Sequence, residues 1–393
     1  MAIIPRLNEL NPTLTNWRRD LHAHPQTAFE ETYASGFIAT KLKEAGIEVH
    51  QGMAKTGVVG TLKGKAPAKG KVKAIGLRAD IDALDITEQT GLPYQSTFPG
   101  KMHACGHDGH TTMLLGAAVY LAETRNFAGT VQFIFQPAEE NEGGGKVMCQ
   151  EGLFEKFPVD CVFGMHNWPG LPLGEFSVLT GPCMAAFDVF EIKVTGKGTH
   201  AAMPHLGIDP IVAGSQMVNA LQTLVSRNTA AIDQLVLTIT QFHAGDTWNV
   251  IPSDAMLRGT VRTFSPAVQD AAEAGMKRVI DGVAATFGCT ATLRYERRYP
   301  ATVNTSLETG WAAETAADVV GGQNVHTDPP PCMGSEDFAY MLNERPGCYI
   351  WAGNGPADNG RMLHNAKYDF NDDLTPVGAS YWARLVERLL PVG

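Results

Sequence analysis

The sequence predicts an α/β fold in two parts: a mixed sheet flanked by helices, and a smaller α+β module inserted into it. Three observations point there. Apolar runs alternate with amphipathic helical stretches in the first and last parts of the chain, the pattern of a sheet covered on both faces. The middle switches to period-two alternation, which leaves one face of each strand wet. At 393 residues the chain is also too long for one ordinary domain.

The elements follow in order. Residues 9–21 and 31–45 read as amphipathic helices, the second ended by Gly46 as a C-cap would end it. Residues 57–62 and 72–77 are short apolar runs. Residues 113–121 read as a helix with Gly116, Ala117 and Ala118 on a packed face, and 131–135 and 161–165 as buried strands. In the middle, 187–194 alternates as a half-buried strand. A helix over 208–226 follows, then strands over 234–241 and 254–262, a helix over 266–287 and a strand over 290–297. That β-α-β-β-α-β order is ferredoxin-like. The module spans 184–299, which leaves 1–183 and 300–393 as one discontinuous domain.

Composition excludes several classes. Hydrophobic residues at 44% and charged residues at 18% belong to a core-forming chain. A net charge of -10 with no basic run argues against nucleic acid. No segment is apolar and long enough to span a membrane, and the N-terminus does not read as a signal peptide. The seven cysteines are scattered with no Cys-x-x-Cys pair, which fits free thiols in a reducing cytoplasm.

Four segments carry the chemistry: Met102-His103-Ala104-Cys105-Gly106-His107-Asp108, Gln136-Pro137-Ala138-Glu139-Glu140, Gly164-Met165-His166-Asn167-Trp168-Pro169 and Met362-Leu363-His364-Asn365. They supply a thiolate, three imidazoles and two adjacent carboxylates, enough donors for two metal ions with one carboxylate left to move protons. Cys105 and His107, two apart in an extended loop, would project to the same side. Glu139 and Glu140, adjacent in extended chain, would point apart, one to metal and one to water. The donors gather where strands end, which is where open α/β sheets place their sites. Singly each signal is bland: a lone His is usually structural, a lone Cys a small buried hydrophobe, a Glu pair a solvated surface. Their coincidence is the argument. Thiolate with imidazole favours zinc, and the carboxylates also suit manganese, cobalt or nickel. His103 and His110 read as supporting groups.

At these residues the chain resembles the M20 metallopeptidase family, in its amidohydrolase branch of hippurate hydrolases and N-acyl-L-amino acid amidohydrolases. The resemblance covers essentially the whole length. It rests on Leu77-Arg78-Ala79-Asp80-Ile81-Asp82-Ala83-Leu84, Met102 to His110, Gln136 to Glu140, Gly334-Ser335-Glu336-Asp337-Phe338 and Leu363-His364-Asn365. It implies a di-metal hydrolase domain with two divalent ions per subunit. Cys105 would bridge them, with His107, Glu140, His166 and His364 completing the ligands and Glu139 as general base. Asp80 matches an aspartate that orients a ligand histidine in related branches, but here Arg78 stands where that histidine would be. The inserted module would be a lid and dimerisation domain. On it, His200 would polarise the scissile carbonyl, often across a dimer interface, while Asn249 and Arg262 would hold the substrate carboxylate. Without the resemblance these three read as loop, turn and surface residues. The chain departs from the branch at Gln26, usually Glu, and at Asp85, usually Pro.

The implied activity is hydrolysis of N-acyl amino acids, hippurate-like, N-acetyl or N-aroyl, by a cytoplasmic homodimer or homotetramer. Three other readings compete: a carboxypeptidase or dipeptidase of the same family, an idle metal- or ligand-binding homologue, and a redox protein using Cys105. The intact Glu139 argues against the second. The third lacks a resolving partner nearby in sequence.

Overall fold

A computed structural model describes residues 1–140 and 142–392. The chain divides into two compact units. One comprises Met1–Cys183, Thr302–Pro331 and the chain from Glu336 on; the other comprises Met184–Ala301 and Cys332–Ser335.

The first unit is built on an eight-stranded mixed sheet. Its order is Glu48–Met53, Gly57–Lys63, Thr130–Gln136, Ala74–Asp80, Cys161–Pro169, Gly347–Gly355, Phe176–Ser177, Val325–His326. The four strands from Thr130–Gln136 to Gly347–Gly355 run parallel, and the edge before them is antiparallel. Ala74–Asp80 and Thr130–Gln136 bury every residue after the first, as strands covered on both faces must. The chain leaves Ala74–Asp80 through the helix His107–Thr124 to its neighbour on one side, and later returns as Cys161–Pro169 on the other. Such a reversal opens a crevice at the carboxyl ends of the strands.

The helix His107–Thr124 centres the packing. Met113, Leu114, Leu115 and Leu121 are buried in it, each contributing about 1.5–3 kcal/mol relative to exposure. Gly116 lies so near Leu14 and Ala379 that a Cβ there would sit 2.8 Å from the Leu14 side chain. The small-residue face therefore packs against the first helix, Pro5–Ala23, and the last, Thr375–Leu389.

Two starts differ from the sequence reading. The first helix begins at Pro5, not residue 9, because proline's fixed φ suits the first helical turn. The central helix begins at His107, not residue 113. Its N-cap, Gly106, takes a φ of 94°, and a left-handed glycine reads as loop in sequence.

The second unit holds a four-stranded antiparallel sheet in the order Leu235–His243, Asp254–Thr263, Ala186–Thr195, Thr290–Tyr299. Helices Pro210–Thr223 and Pro266–Phe287 cover one face, where Phe190, Ile192, Val194, Leu257 and Val261 join Met217, Leu221, Met276 and Ile280 in a separate core. A two-residue ladder pairs Thr199–His200 with Val250–Ile251. Among the described residues no helix is long and apolar enough to cross a membrane. All seven cysteines are free.

Candidate metal centre

Cys105 and His107 flank Gly106 at the mouth of the central helix. Their convergence comes from the left-handed turn at Gly106, not from the extended loop expected from sequence. Glycine is required: a Cβ would meet Asn167 Nδ2 at 2.3 Å and the Tyr368 hydroxyl at 2.5 Å. His166 lies within a strand rather than after it, because pairing of His166 with Trp351 continues the ladder towards Pro169. Glu139 and Glu140 also depart from expectation. Ala138 before them takes a φ of 54°, and both carboxylates fall in one group with His107 whose ligand atoms lie within 4.8 Å of one another. Their other neighbours differ. Glu140 reaches Cys105 and His364, whereas Glu139 reaches Glu336 and Asp337.

Two further donor sets share a sulfur. Cys105, His107 and His166 form one, and Cys105, Glu140 and His364 the other, each within the same 4.8 Å limit. Cys105 Sγ stands 3.4 Å from His166 Nε2. His364 Nε2 stands 3.3 Å from Glu140 Oε2 with its side chain about half exposed. Its backbone is left-handed at φ 61°, held by its N–H donating to the Ala104 carbonyl at 2.8 Å.

Hydrogen bonds decide which imidazole nitrogens are free. His107 donates Nδ1–H to Asp82 at 3.1 Å, and His166 donates Nδ1–H to the Asn167 carbonyl at 2.6 Å. His166 so keeps its Nε2 lone pair for the centre, and on His107 Nε2 is the nitrogen that becomes a donor once its proton leaves. His110 bonds Asp80 through Nδ1 at 2.6 Å and accepts the Asn167 N–H at Nε2 at 2.8 Å. Both its nitrogens are committed, so it has no lone pair for a cation.

The donor set fits divalent cations. His107 Nε2 and Glu140 Oε1 are buried without a hydrogen-bond partner among the described residues and lie 3.7 Å apart. An unsatisfied buried group costs about 1–3 kcal/mol, which a shared cation would offset. The field agrees. Burial opposes charge on His107, yet Asp80, Asp82 and Glu140 outweigh it and push its pKa up to about 10. Burial, then Glu140, Glu139 and Asp80, push the Cys105 thiol well above its usual range. Burial and the neighbouring His110 hold His166 well below its ordinary value, hence neutral. Surplus negative potential around thiol, imidazole and carboxylate donors suits a borderline-soft ion such as zinc.

Asp82 is the residue that the sequence reading missed. It orients His107 and also accepts the Glu140 N–H at 3.0 Å. Asp80, the residue matched to the histidine-orienting role, instead bonds Arg78 at 2.7 Å and His110 at 2.6 Å. Its sequence signal is the spacing of two acids, Asp80 and Asp82, at the end of one buried strand.

Behind Glu139 lies a buried ionic cluster. Arg78 donates to Gln136, Asp80, Glu336 and Asp337. Glu336 also accepts from the Tyr349 hydroxyl, and Asp337 from the Gly145 N–H at 2.7 Å. Burial first, then Glu336 and Glu140, raise the Glu139 pKa well above the usual carboxylate range. A carboxyl so placed readily accepts and holds a proton.

The other three candidates lie on the second unit. His200 is exposed opposite Val250, and its Nδ1 accepts the Ala202 N–H at 3.1 Å, which leaves the proton on Nε2. The Asn249 carbonyl accepts the Ala201 N–H at 2.9 Å, so the two-stranded ladder brings Asn249 beside His200. Arg262 is half-buried with its guanidinium 4.1 Å above the Phe187 ring. It donates to the Val261 carbonyl at 3.3 Å and forms no ion pair among the described residues.

Comparison with known proteins adds independent findings. Residues 76–388 match the profile of peptidase family M20/M25/M40. The chain is 41% identical over 379 residues to an N-acetylcysteine deacetylase of Bacillus subtilis, covering 96% of this chain and 97% of that protein. It is 40% identical over 391 residues to the hippurate hydrolase of Campylobacter jejuni, covering 99% and 100%. Its fold superposes with a TM-score of 0.84 on the crystal structure of the Bacillus subtilis YXEP protein, described as a dinuclear metal binding peptidase from the M20 family. That match has 38% identity and covers 98% of this chain and 99% of the other.

Proposed function

The chain belongs to peptidase family M20/M25/M40, and within it we propose a two-cation amidohydrolase that cleaves N-acyl amino acids to a carboxylic acid and a free amino acid. The observation that carries this reading is the sharing of Cys105 by two donor sets beside a carboxyl of raised proton affinity, Glu139. The names of two relatives, a deacetylase of N-acetylcysteine and a hydrolase of hippurate, support the substrate class.

Cys105, His107, Glu140, His166 and His364 are the residues that would hold the cations, zinc foremost, with manganese, cobalt or nickel as alternatives. Bound there, such ions supply Lewis acidity and lower the pKa of water. Glu139 takes the proton of the attacking water and returns it to the leaving nitrogen, so one group serves as base and then acid. His200, with its proton on Nε2, donates a hydrogen bond to the scissile carbonyl as negative charge develops there. Arg262, free of any carboxylate ion pair among the described residues, and Asn249 bind the amino-acid carboxylate, for which a guanidinium fork is well matched. The assembly is a homodimer or homotetramer in which His200 serves a neighbouring subunit.

The test is a panel of N-acetyl, N-benzoyl and N-indoleacetyl amino acids set against free-amine dipeptides, with added zinc, manganese or cobalt. Cation-dependent cleavage of the N-acyl compounds is the expected result. Preference for dipeptides would replace this reading with a peptidase one, and inertness towards both would favour an idle binding homologue.

A further inference from the structure

Glu31 is wholly buried and forms no ion pair among the described residues. A carboxylate withdrawn from water without a cation is costly. Glu31 occupies the N-cap position of the helix Thr32–Glu44, yet its side chain does not cap that helix. Instead, Oε1 accepts the backbone N–H of Phe29 and of Ala138, each at 3.0 Å, and Oε2 accepts the Thr56 hydroxyl at 2.6 Å.

Two of the contacts come from left-handed backbone, and the third comes from a side chain just after a left-handed turn. Phe29 and Ala138 have φ of 62° and 54°, and Thr56 follows Ala54 and Lys55 at 45° and 69°. Of the seven non-glycine residues with positive φ among those described, Phe29 and Ala138 bond this carboxyl directly, and Ala54 and Lys55 form the turn that leads into its third partner, Thr56. Strain gathered at one point usually serves a site.

What the strain fixes is the loop that carries Glu139. The Ala138 N–H is tied to Glu31 and its carbonyl accepts the Gly144 N–H at 3.0 Å. Gly144 approaches so closely that a Cβ would sit 1.7 Å from the Pro137 carbonyl oxygen. Glu140 has a separate anchor, its own N–H on Asp82 at 3.0 Å. Two buried acids therefore grip the loop from opposite sides, one before Glu139 and one after it.

We infer that Glu31 is a positioning residue for Glu139: it pins Ala138 in the left-handed kink that aims the base, while Asp82 secures the cation donor Glu140. The inference rests on the reading of Glu139 as base. It follows that base alignment and cation retention are separable.

The experiment uses the full-length protein loaded with zinc and compares E31A, E31Q, T56V and E139Q. Gln keeps the shape of Glu, can accept both amides through Oε1 and can donate to the Thr56 hydroxyl. E31A is expected to keep its zinc content and KM while kcat falls about 10- to 100-fold, the scale of a misplacement near 1 Å. E31Q should restore most of that loss. Amide hydrogen exchange around Ala138, measured without zinc, should be faster in E31A. T56V, which preserves side-chain shape, covers the case in which E31A does not fold; it should lower kcat about threefold or more with zinc retained. Wild-type kcat in E31A, or in T56V where E31A does not fold, overturns the inference. So does equal loss of zinc and kcat in E31A and E31Q. E139Q separates the two readings. An active E139Q removes the base assignment itself, whereas an inactive E139Q beside an unimpaired E31A removes only the positioning role.

Discussion

His107 donates its Nδ1–H to Asp82 across 3.1 Å, and this hydrogen bond leaves Nε2 as the nitrogen that faces the donor cluster. Because Asp82 also receives the Glu140 N–H at 3.0 Å, one carboxylate orients two donors. Removing it should cost more than a single hydrogen bond. D82A is expected to weaken cation binding about 10- to 100-fold, the usual effect of losing an orienting carboxylate. Competition of the protein with a chromogenic chelator measures this, and unchanged affinity would show that His107 is held by something else.

E139Q tests the proton-transfer role. The amide keeps the volume of the carboxylate but cannot take a proton from water. Cation content should remain at the wild-type level while kcat drops about 10²- to 10⁴-fold, the range for removing a general base. Activity and elemental analysis on the same sample decide it, and loss of both together would make Glu139 a ligand.

Gly106 offers a structural test. Any side chain there meets Asn167 and Tyr368 closer than 3.0 Å and must also adopt a φ of 94°. The Asn167 amide that would be displaced donates to the Cys105 carbonyl at 2.6 Å. G106A is therefore expected to destabilise the first unit by about 1–3 kcal/mol through overpacking and strain, and to lower cation affinity because Cys105 moves. A thermal melt with and without zinc separates the two effects. An unshifted melt would mean that the turn relaxes without cost.

Much of this arrangement is legible in sequence, and two of the exceptions share one cause. Buried strands announce themselves through continuous apolar runs, as 161–165 does, and the donors through residue type, as Cys105, His107 and His364 do. Backbone of positive φ leaves no such mark. The turn at Gly106 moves the helix start six residues upstream of the one read from periodicity, and the kink at Ala138 breaks the alternation expected of Glu139 and Glu140. Glu31 is invisible for a stronger reason. Its partners are the amides of Phe29 and Ala138 and one threonine hydroxyl, and a backbone amide carries no sequence signature. Asp82 could have been found, since a histidine that offers Nε2 needs an acceptor at Nδ1.

His22 makes alkaline stability predictable. It is buried between Asp108, at 2.8 Å, and Glu88, at 3.4 Å. Burial opposes its charge, but these carboxylates prevail and raise its pKa from 6.5 to about 9. The folded protein thus holds a proton that the unfolded chain gives up between those values. Stability from this contact is complete below pH 6.5 and is lost as pH rises towards 9. Urea unfolding followed across that window should show a falling midpoint, and H22Q should flatten the slope. A midpoint that rises with pH would reverse the sign and reject the ion pair.

Cation binding should in turn release protons. In the cation-free protein His107 holds its proton up to about pH 10 because Asp80, Asp82 and Glu140 outweigh its burial. The Cys105 thiol is likewise kept protonated by burial and the same negative surroundings. A divalent ion needs both groups deprotonated, so at pH 7.5 its binding should expel about two protons per chain. Affinity must then fall as pH is lowered, since protons compete for the same atoms. Calorimetric titration of zinc in buffers of differing ionisation enthalpy counts those protons directly, and C105S should reduce the count by about one. A proton count of zero would place the cation elsewhere than on Cys105 and His107.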